Sequence, residues 1–235
     1  MLINCVQILN SLKYALIRQF TVLFLMPLQN RVNPFSALIA TPERGAWTGN
    51  RGVIHNERQQ IVKNHAVKYW ITCVLDYKDV RRKVMSPNRW TELFFLDEAT
   101  AFAAGHRPCG FCRHPDFKRF KQLWLMTNGA QYGLAAHTKM DIIDAHIHQE
   151  RLDDNGLKKT FKAQLTTLPD GSFIAFDGSD KAYLWYQQNL HEWSFSGYTK
   201  VTELDKNQAV NVLTPFSYVA VFKAGYVPQV HFSVK

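Results

Sequence analysis

Cysteine is scarce, with Cys5, Cys73, Cys109 and Cys112 the only four in 235 residues, too few for a disulfide scaffold at this length. Long apolar runs are missing as well. Lys13, Arg18 and Gln19 break up the stretch from Leu9 to Leu28, and the uninterrupted part, Phe20 to Leu28, is far short of the ~20 apolar residues that span a bilayer. No small-residue cleavage site follows Leu25, and Pro27 and Arg31 come close behind, unlike a secretory signal. Residues 1–30 are therefore expected to be an N-terminal extension whose start is misassigned, with Met26 as the natural beginning, and no stable membrane insertion is expected. A Gly-rich nucleotide loop, a Ser nucleophile elbow and a complete metalloprotease motif are all absent. Acid is in deficit too: 19 Asp and Glu face 28 Lys and Arg, for a net charge of +9. That balance favours polyanionic partners, DNA or RNA or an anionic membrane surface.

What remains is a globular composition, 46% hydrophobic and 20% charged, enough for one or two domains. From Arg31 to Asn64 the turn-forming pairs Asn33-Pro34, Thr41-Pro42, Arg44-Gly45 and Gly49-Asn50-Arg51-Gly52 predict irregular structure. This is either a packed arm or a binding surface presenting Arg44, Trp47 and Arg51. From Val67 to Tyr77, alternation predicts a strand, followed by a basic strand at Val80 to Met85 and a buried one at Trp90 to Leu96, together an antiparallel meander.

Asp97 is placed to cap a two-turn helix that Gly105 ends, with Glu98 in its first turn. A second helix follows Pro115, with Phe117, Phe120 and Trp124 on one face. Strands are expected at Phe161 to Thr167, Phe173 to Phe176 and Ala182 to Tyr186, and a C-terminal helix between Pro215 and Gly225. The fold class is thus α+β: a meander and short helix leading to a Cys-x-x-Cys pair (residues 31–130), then a second β-rich layer with a C-terminal helix (residues 131–235). Ala101 to Pro108 has a faint echo in Val221 to Pro228, although helix, Gly and later Pro make a generic helix end.

Cys109-Gly110-Phe111-Cys112 offers two thiolates from one turn, half of a zinc site. Cys73 is the leading third ligand; the alternative is that it lies on an apolar face with Ile71 and Leu75 as a small hydrophobe. The fourth comes from His55, His65, His106 or His114. A thioredoxin-like dithiol needs the pair at the start of a helix after a parallel strand, which antiparallel strands and a preceding helix do not provide. A metal-binding pair in so cysteine-poor a chain suits a reducing, cytoplasmic location.

Phe95-Leu96-Asp97-Glu98-Ala99 through Ala103-Ala104-Gly105-His106-Arg107-Pro108-Cys109-Gly110-Phe111-Cys112-Arg113 resembles the second half of the Ada-type zinc-binding module, over about residues 92–113. The chain as a whole resembles a bacterial family, without an assigned activity, that embeds this module. The resemblance implies zinc held by Cys109 and Cys112, with Cys73 as a further ligand. In the alkylated-DNA repair activator for which the module is known, two cysteines precede the motif and one accepts a methyl group. Here only Cys73 precedes it, so the methyl transfer does not carry over.

Two further constellations bear on function. Asp141-Ile-Ile-Asp144-Ala-His146-Ile-His148-Gln-Glu150-Arg151 gathers two His and three carboxylates in eleven residues, able to bind a metal or serve as acid and base. The alternative is a charged amphipathic helix with Ile142, Ile143 and Ile147 facing the core. Arg107, Arg113, Lys118, Arg119 and Lys121, interleaved with Phe111 and Phe117 and extended by Arg81, Arg82 and Lys83, form a basic stretch suited to nucleic acid. These give two functions: a zinc protein engaging nucleic acid through a basic surface, or a metal-dependent hydrolase or nuclease using Asp144, His146, His148 and Glu150. Convergence of that cluster with the thiols or Arg151 in a cleft would favour the enzyme.

Overall fold

In the computed structural model, residues 27–79, 83–201 and 208–234 are described. The first sheet turns on a strand from the segment expected to be irregular: β3 (Trp47–Asn50) lies between β4 (Ile71–Val74) and β5 (Leu93–Phe95) and pairs antiparallel with both. The two strands expected to belong to one meander are therefore not neighbours. The misreading has a physical cause in Gly49, whose hydrogen stands where a Cβ would come within 2.1 Å of the Ile71 carbonyl oxygen. This glycine permits a close backbone approach within the sheet and does not mark a turn. β1 (Gln29–Val32), β2 (Leu38–Ala40) and the two-residue β6 (Arg107–Pro108) complete the order β2-β1-β5-β3-β4-β6, in which β1–β5 and β4–β6 are parallel.

The strand expected at Val80 to Met85 is not formed where it is described; Arg81 and Arg82 lie outside the described residues. Val84 and Met85 form a turn, with Met85 at φ 53°. Side chains rather than a neighbouring strand satisfy this backbone: Gln59 donates to the Val84 carbonyl (3.0 Å) and Met85 N–H to Glu92 (2.7 Å).

The second sheet comprises β7 (Phe161–Gln164), β8 (Ser172–Ala175), β9 (Tyr183–Tyr186), β10 (Asn189–Ser194), β11 (Gly197–Lys200) and β12 (Ala209–Val212), in the order β11-β10-β9-β8-β12-β7 and antiparallel throughout. The turn at 168–172 does not close a hairpin, because β12 inserts between β7 and β8.

Four α-helices occur among the described residues: α1 (Glu98–Ala103), α2 (His114–Asn128), α3 (Met140–Arg151) and the C-terminal α4 (Phe216–Lys223). None is long and apolar enough to cross a membrane. Asp97 caps α1 as expected, accepting from Thr100 N–H at 2.8 Å. Every residue of α1 is buried, which is how so short a helix persists. Ala99 and Ala103 pack on Phe173 and Leu184 of the second sheet, Ala101 on Leu93 and Phe95 of the first, and Phe102 among Phe120, Trp124 and Tyr218 from the other helices. α1 is the central pin of the fold, and the chain leaving it runs straight into the cysteine pair.

Candidate metal centre

Gly105, at φ 85°, ends α1 in the left-handed region, and His106 then leads into β6. Arg107 N–H donates to the Trp70 carbonyl (3.1 Å) and Cys109 N–H to that of Thr72 (2.9 Å), so the short parallel pairing draws the Cys109-Gly-Phe-Cys112 turn alongside β4. That places Cys73 beside the pair, and the three Sγ atoms lie within 4.8 Å of one another. Four thiolates around zinc at ~2.3 Å stand about 3.8 Å apart, so modest contraction closes three of them on one ion. Phe111 N–H already donates to Cys109 Sγ at 3.4 Å, a contact that favours thiolate. Cys73 is half-buried and so not a core hydrophobe, and Leu75, expected beside it on an apolar face, lies past the end of β4 and is 47% exposed.

The thiols perturb one another in a way a cation would relieve. Cys112 and then Cys73 donate to Cys109, which holds its pKa far down despite partial burial. Cys73 is pushed up, first by its contacts with Cys109 and Cys112 and then by burial, and Cys112 is pushed up by Cys109. Three thiolates at this spacing cannot coexist without compensating charge, and a soft divalent ion supplies it.

None of the four histidines considered as a fourth ligand joins the thiols. His55 bonds Thr91 Oγ1 (2.6 Å) and the Ser86 carbonyl (3.2 Å); His114 Nδ1 reaches the Gly110 carbonyl (3.0 Å). His65 and His106 pack against Trp70. Among the described residues no other trio of His, Cys, Asp or Glu comes together as these thiols do.

The residues of the Asp141 to Glu150 stretch lie on α3 and go to separate neighbours. Asp144 is buried against Arg107 in a two-pronged ion pair (2.9 and 2.6 Å). His146 stacks on Tyr132 (4.2 Å between centroids) and His148 stands edge-on to His65 (4.8 Å). Glu150 accepts from Ser217 N–H (2.9 Å) and Tyr132 OH (3.3 Å).

The basic stretch divides in the same way. Arg107 and Arg113 are buried, Arg113 bonding Glu98 and Asp116 and lying over the Trp47 ring at 4.2 Å. Lys118 and Arg119 are exposed and Lys121 half-buried, with Arg119 donating to the Gly225 carbonyl. Phe111 is 73% exposed and meets Tyr77 edge-on at 5.2 Å.

Arg51, a candidate for an exposed binding surface, is instead 1% exposed; it and Arg151 lie over Trp70 at 4.1 and 4.8 Å, a concentration of polar side chains that sequence reasoning did not assemble. The only local signal was an Arg between glycines in Gly49-Asn50-Arg51-Gly52. Compared with known proteins, the chain matches no family model, no curated protein and no solved structure.

Proposed function

We propose that this chain is a zinc protein in which Cys73, Cys109 and Cys112 hold one Zn²⁺ and the metal is architectural. The observation that carries the reading is the convergence on one point of three thiols, one from β4 and two from the turn after β6. Thiolate ligands select a soft ion, and the resemblance of residues 92–113 to an Ada-type module favours zinc among such ions. Bound there, zinc would supply a cross-link that fastens β4 to the turn between β6 and α2. Arg107 and Arg113 then hold that turn to α3 and α1 through Asp144 and Glu98. No catalytic step is assigned, because Asp144, His146, His148 and Glu150 are each engaged elsewhere.

The same reading takes nucleic acid as the partner in a reducing, cytoplasmic setting. The exposed Lys118 and Arg119, with Lys121, follow the metal turn directly in a chain of net charge +9. The test is metal analysis of purified, reduced protein. One zinc per chain is expected, falling steeply in Cys73→Ser and in Cys109→Ser, and a cobalt-substituted sample should show sulfur-to-metal charge-transfer absorption. Less than about half an equivalent with all thiols reduced rules out a zinc site that follows structural stoichiometry. For the partner, a DNA or RNA mobility shift should appear at low salt and weaken steeply as salt rises; its absence at low salt removes that part of the reading.

A further inference from the structure

Around Trp70 the protein encloses positive charge without enclosing negative charge to match it. Arg51 and Arg151 are each only 1% exposed, and the half-buried Lys158 reaches in to donate to the Ala103 carbonyl. Among the described residues none of the three forms an ion pair. The fold handles its other buried guanidiniums differently, since Arg107 and Arg113 both meet a carboxylate. The hydrogen bonds of the two arginines at Trp70 reach neutral acceptors, from Arg51 to the Ser36 carbonyl (3.0 Å) and Oγ (2.9 Å) and from Arg151 to the carbonyls of Gly105 and Lys68. Buried charge without a counter-charge is unfavourable, so the contrast calls for a cause.

Three histidines ring the same tryptophan, with centroids 5.4 Å (His106), 5.7 Å (His65) and 5.9 Å (His148) away. His106 Nε2 accepts from Arg51 Nε at 3.2 Å, which leaves a proton on Nδ1. That atom is buried without a partner, and so are Nδ1 of His65, Nδ1 of His148 and Nη2 of Arg151: four of the seven such side-chain atoms among the described residues. Unpaired buried polar groups in such a concentration call for partners that the protein itself does not supply. His65, His148 and Lys158 are half-buried, so the cluster is not sealed from solvent.

The ligand must be negatively charged and rich in acceptor oxygens, because the unpartnered atoms are a guanidinium nitrogen and ring nitrogens that can present an N–H, beside three cations that no carboxylate balances. A tetrahedral oxyanion fits guanidinium forks particularly well. We propose that the Trp70 cluster is a binding site for a small oxyanion of the phosphate class, either free or as the phosphoryl group of a small phosphomonoester, held by Arg51, Arg151 and Lys158 with His65 and His148 on the solvent side. Without the anion the cluster is electrostatically strained. Burial and then Arg151 lower the Arg51 pKa to about 9, and burial with Arg51 and Arg151 lowers that of Lys158 to about 7. This site shares no ligand with the thiols, so it stands or falls separately from the zinc reading.

The test is calorimetry and thermal unfolding of the zinc-loaded full chain, freed of phosphate, with inorganic phosphate, adenosine monophosphate, acetate or chloride at matched ionic strength. Saturable binding of phosphate or of the monophosphate is expected, raising Tm by about 5 °C or more at a hundredfold excess over Kd. Tighter binding of the monophosphate identifies a phosphomonoester as the source; equal or tighter binding of phosphate identifies the free anion. Lys158→Met should raise the Tm of the phosphate-free protein, by removing one of three unpaired cations, and lose most of the gain from phosphate. His148→Leu, at a half-buried position, should weaken phosphate binding about tenfold, one donor's worth. No saturable effect up to about 10 mM, stabilisation by acetate equal to that by phosphate, or unchanged phosphate affinity in both variants overturns the proposal.

Discussion

Replacing Asp144 with Ala is the most informative single perturbation, because it separates a structural carboxylate from a catalytic one. The Arg107 and Asp144 side chains are 8% and 5% exposed, and Nε and Nη2 of the arginine meet the two carboxylate oxygens at 2.9 and 2.6 Å. Without Asp144 the guanidinium stays buried with only the Pro108 carbonyl, at 3.0 Å, to receive a hydrogen bond. An uncompensated charge of this kind costs about 3–5 kcal/mol, a large part of the ~5–15 kcal/mol that holds a typical domain together. Removing both partners in Arg107→Met/Asp144→Leu should return most of that loss, since apolar side chains of similar volume replace buried pairs at little net cost. Urea unfolding of zinc-loaded protein, followed by circular dichroism, reads both variants against the parent. Zinc retention should weaken in Asp144→Ala as well, because Arg107 lies two residues ahead of Cys109. A loss below about 1 kcal/mol in Asp144→Ala, or a double variant as unstable as the single one, would refute this reasoning and return Asp144 to the list of groups free for chemistry.

Acidification gives a second handle. Burial, then Arg151, His65 and Lys68, lower the His148 pKa from its ordinary 6.5 to about 4. Between those values the unfolded chain binds a proton that the folded chain does not, so this contribution to stability is complete above about pH 6.5 and is lost as pH falls towards 4. His148→Gln should therefore flatten the acid limb of a stability profile measured at constant zinc, and an equally steep limb would contradict the assignment. Asp97→Ala should cost about 3 kcal/mol or more, beyond the ~1 kcal/mol of a cap alone. Asp97 also receives Thr100 Oγ1 (2.6 Å), Tyr198 OH (2.7 Å) and His231 N–H (2.9 Å). A cap-sized change in denaturant midpoint would show that those donors find other partners.

Features that depend on local chemistry were legible in the sequence. The cap of α1, its glycine end and the pair at Cys109 and Cys112 are each written in a few consecutive residues, and alternation correctly put a strand across Cys73. Features that depend on which backbones approach each other were not. Gly49 looks like a turn former in isolation, and only the presence of β4 beside it shows why a side chain is excluded there. β6 is two residues long, below any periodicity. The helix reading of residues 141–151 buried Ile143 and Ile147 correctly but also Ile142, which is 44% exposed, and i to i+4 spacing could not say that Asp144 would meet Arg107 while His148 met His65. The Trp70 cluster draws on segments around positions 51, 65, 106, 148 and 158, and no local pattern joins them.

The motif running from Gly105 to Cys109 becomes intelligible once its residues are assigned in turn. Gly105 carries no Cβ because one would fall 2.8 Å from Arg151 Cγ, and its carbonyl accepts from Arg151 Nε at 2.6 Å. His106 bonds Arg51, Arg107 pairs with Asp144, and Cys109 faces the other thiols. Opposite them, Trp70 belongs to the cation cluster and Cys73 to the thiols. The two sites thus lie three residues apart on each of two paired segments, about 10 Å at the rise of a strand. The pairing between them has only two residue pairs, Ile71 with Arg107 and Thr72 with Pro108. So short a parallel ladder is braced by side chains: Thr72 Oγ1 donates to the Arg107 carbonyl and accepts from Arg113 (both 3.2 Å), with the three thiols at one end and the packed cations at the other. A ligand that tightens either end favours the same register, so on the proposed readings zinc at one end and the anion at the other should help each other, and by linkage equally. On those readings an architectural metal would have a definite role, because fixing the thiols would hold in place the backbone that carries His106 and receives Arg151.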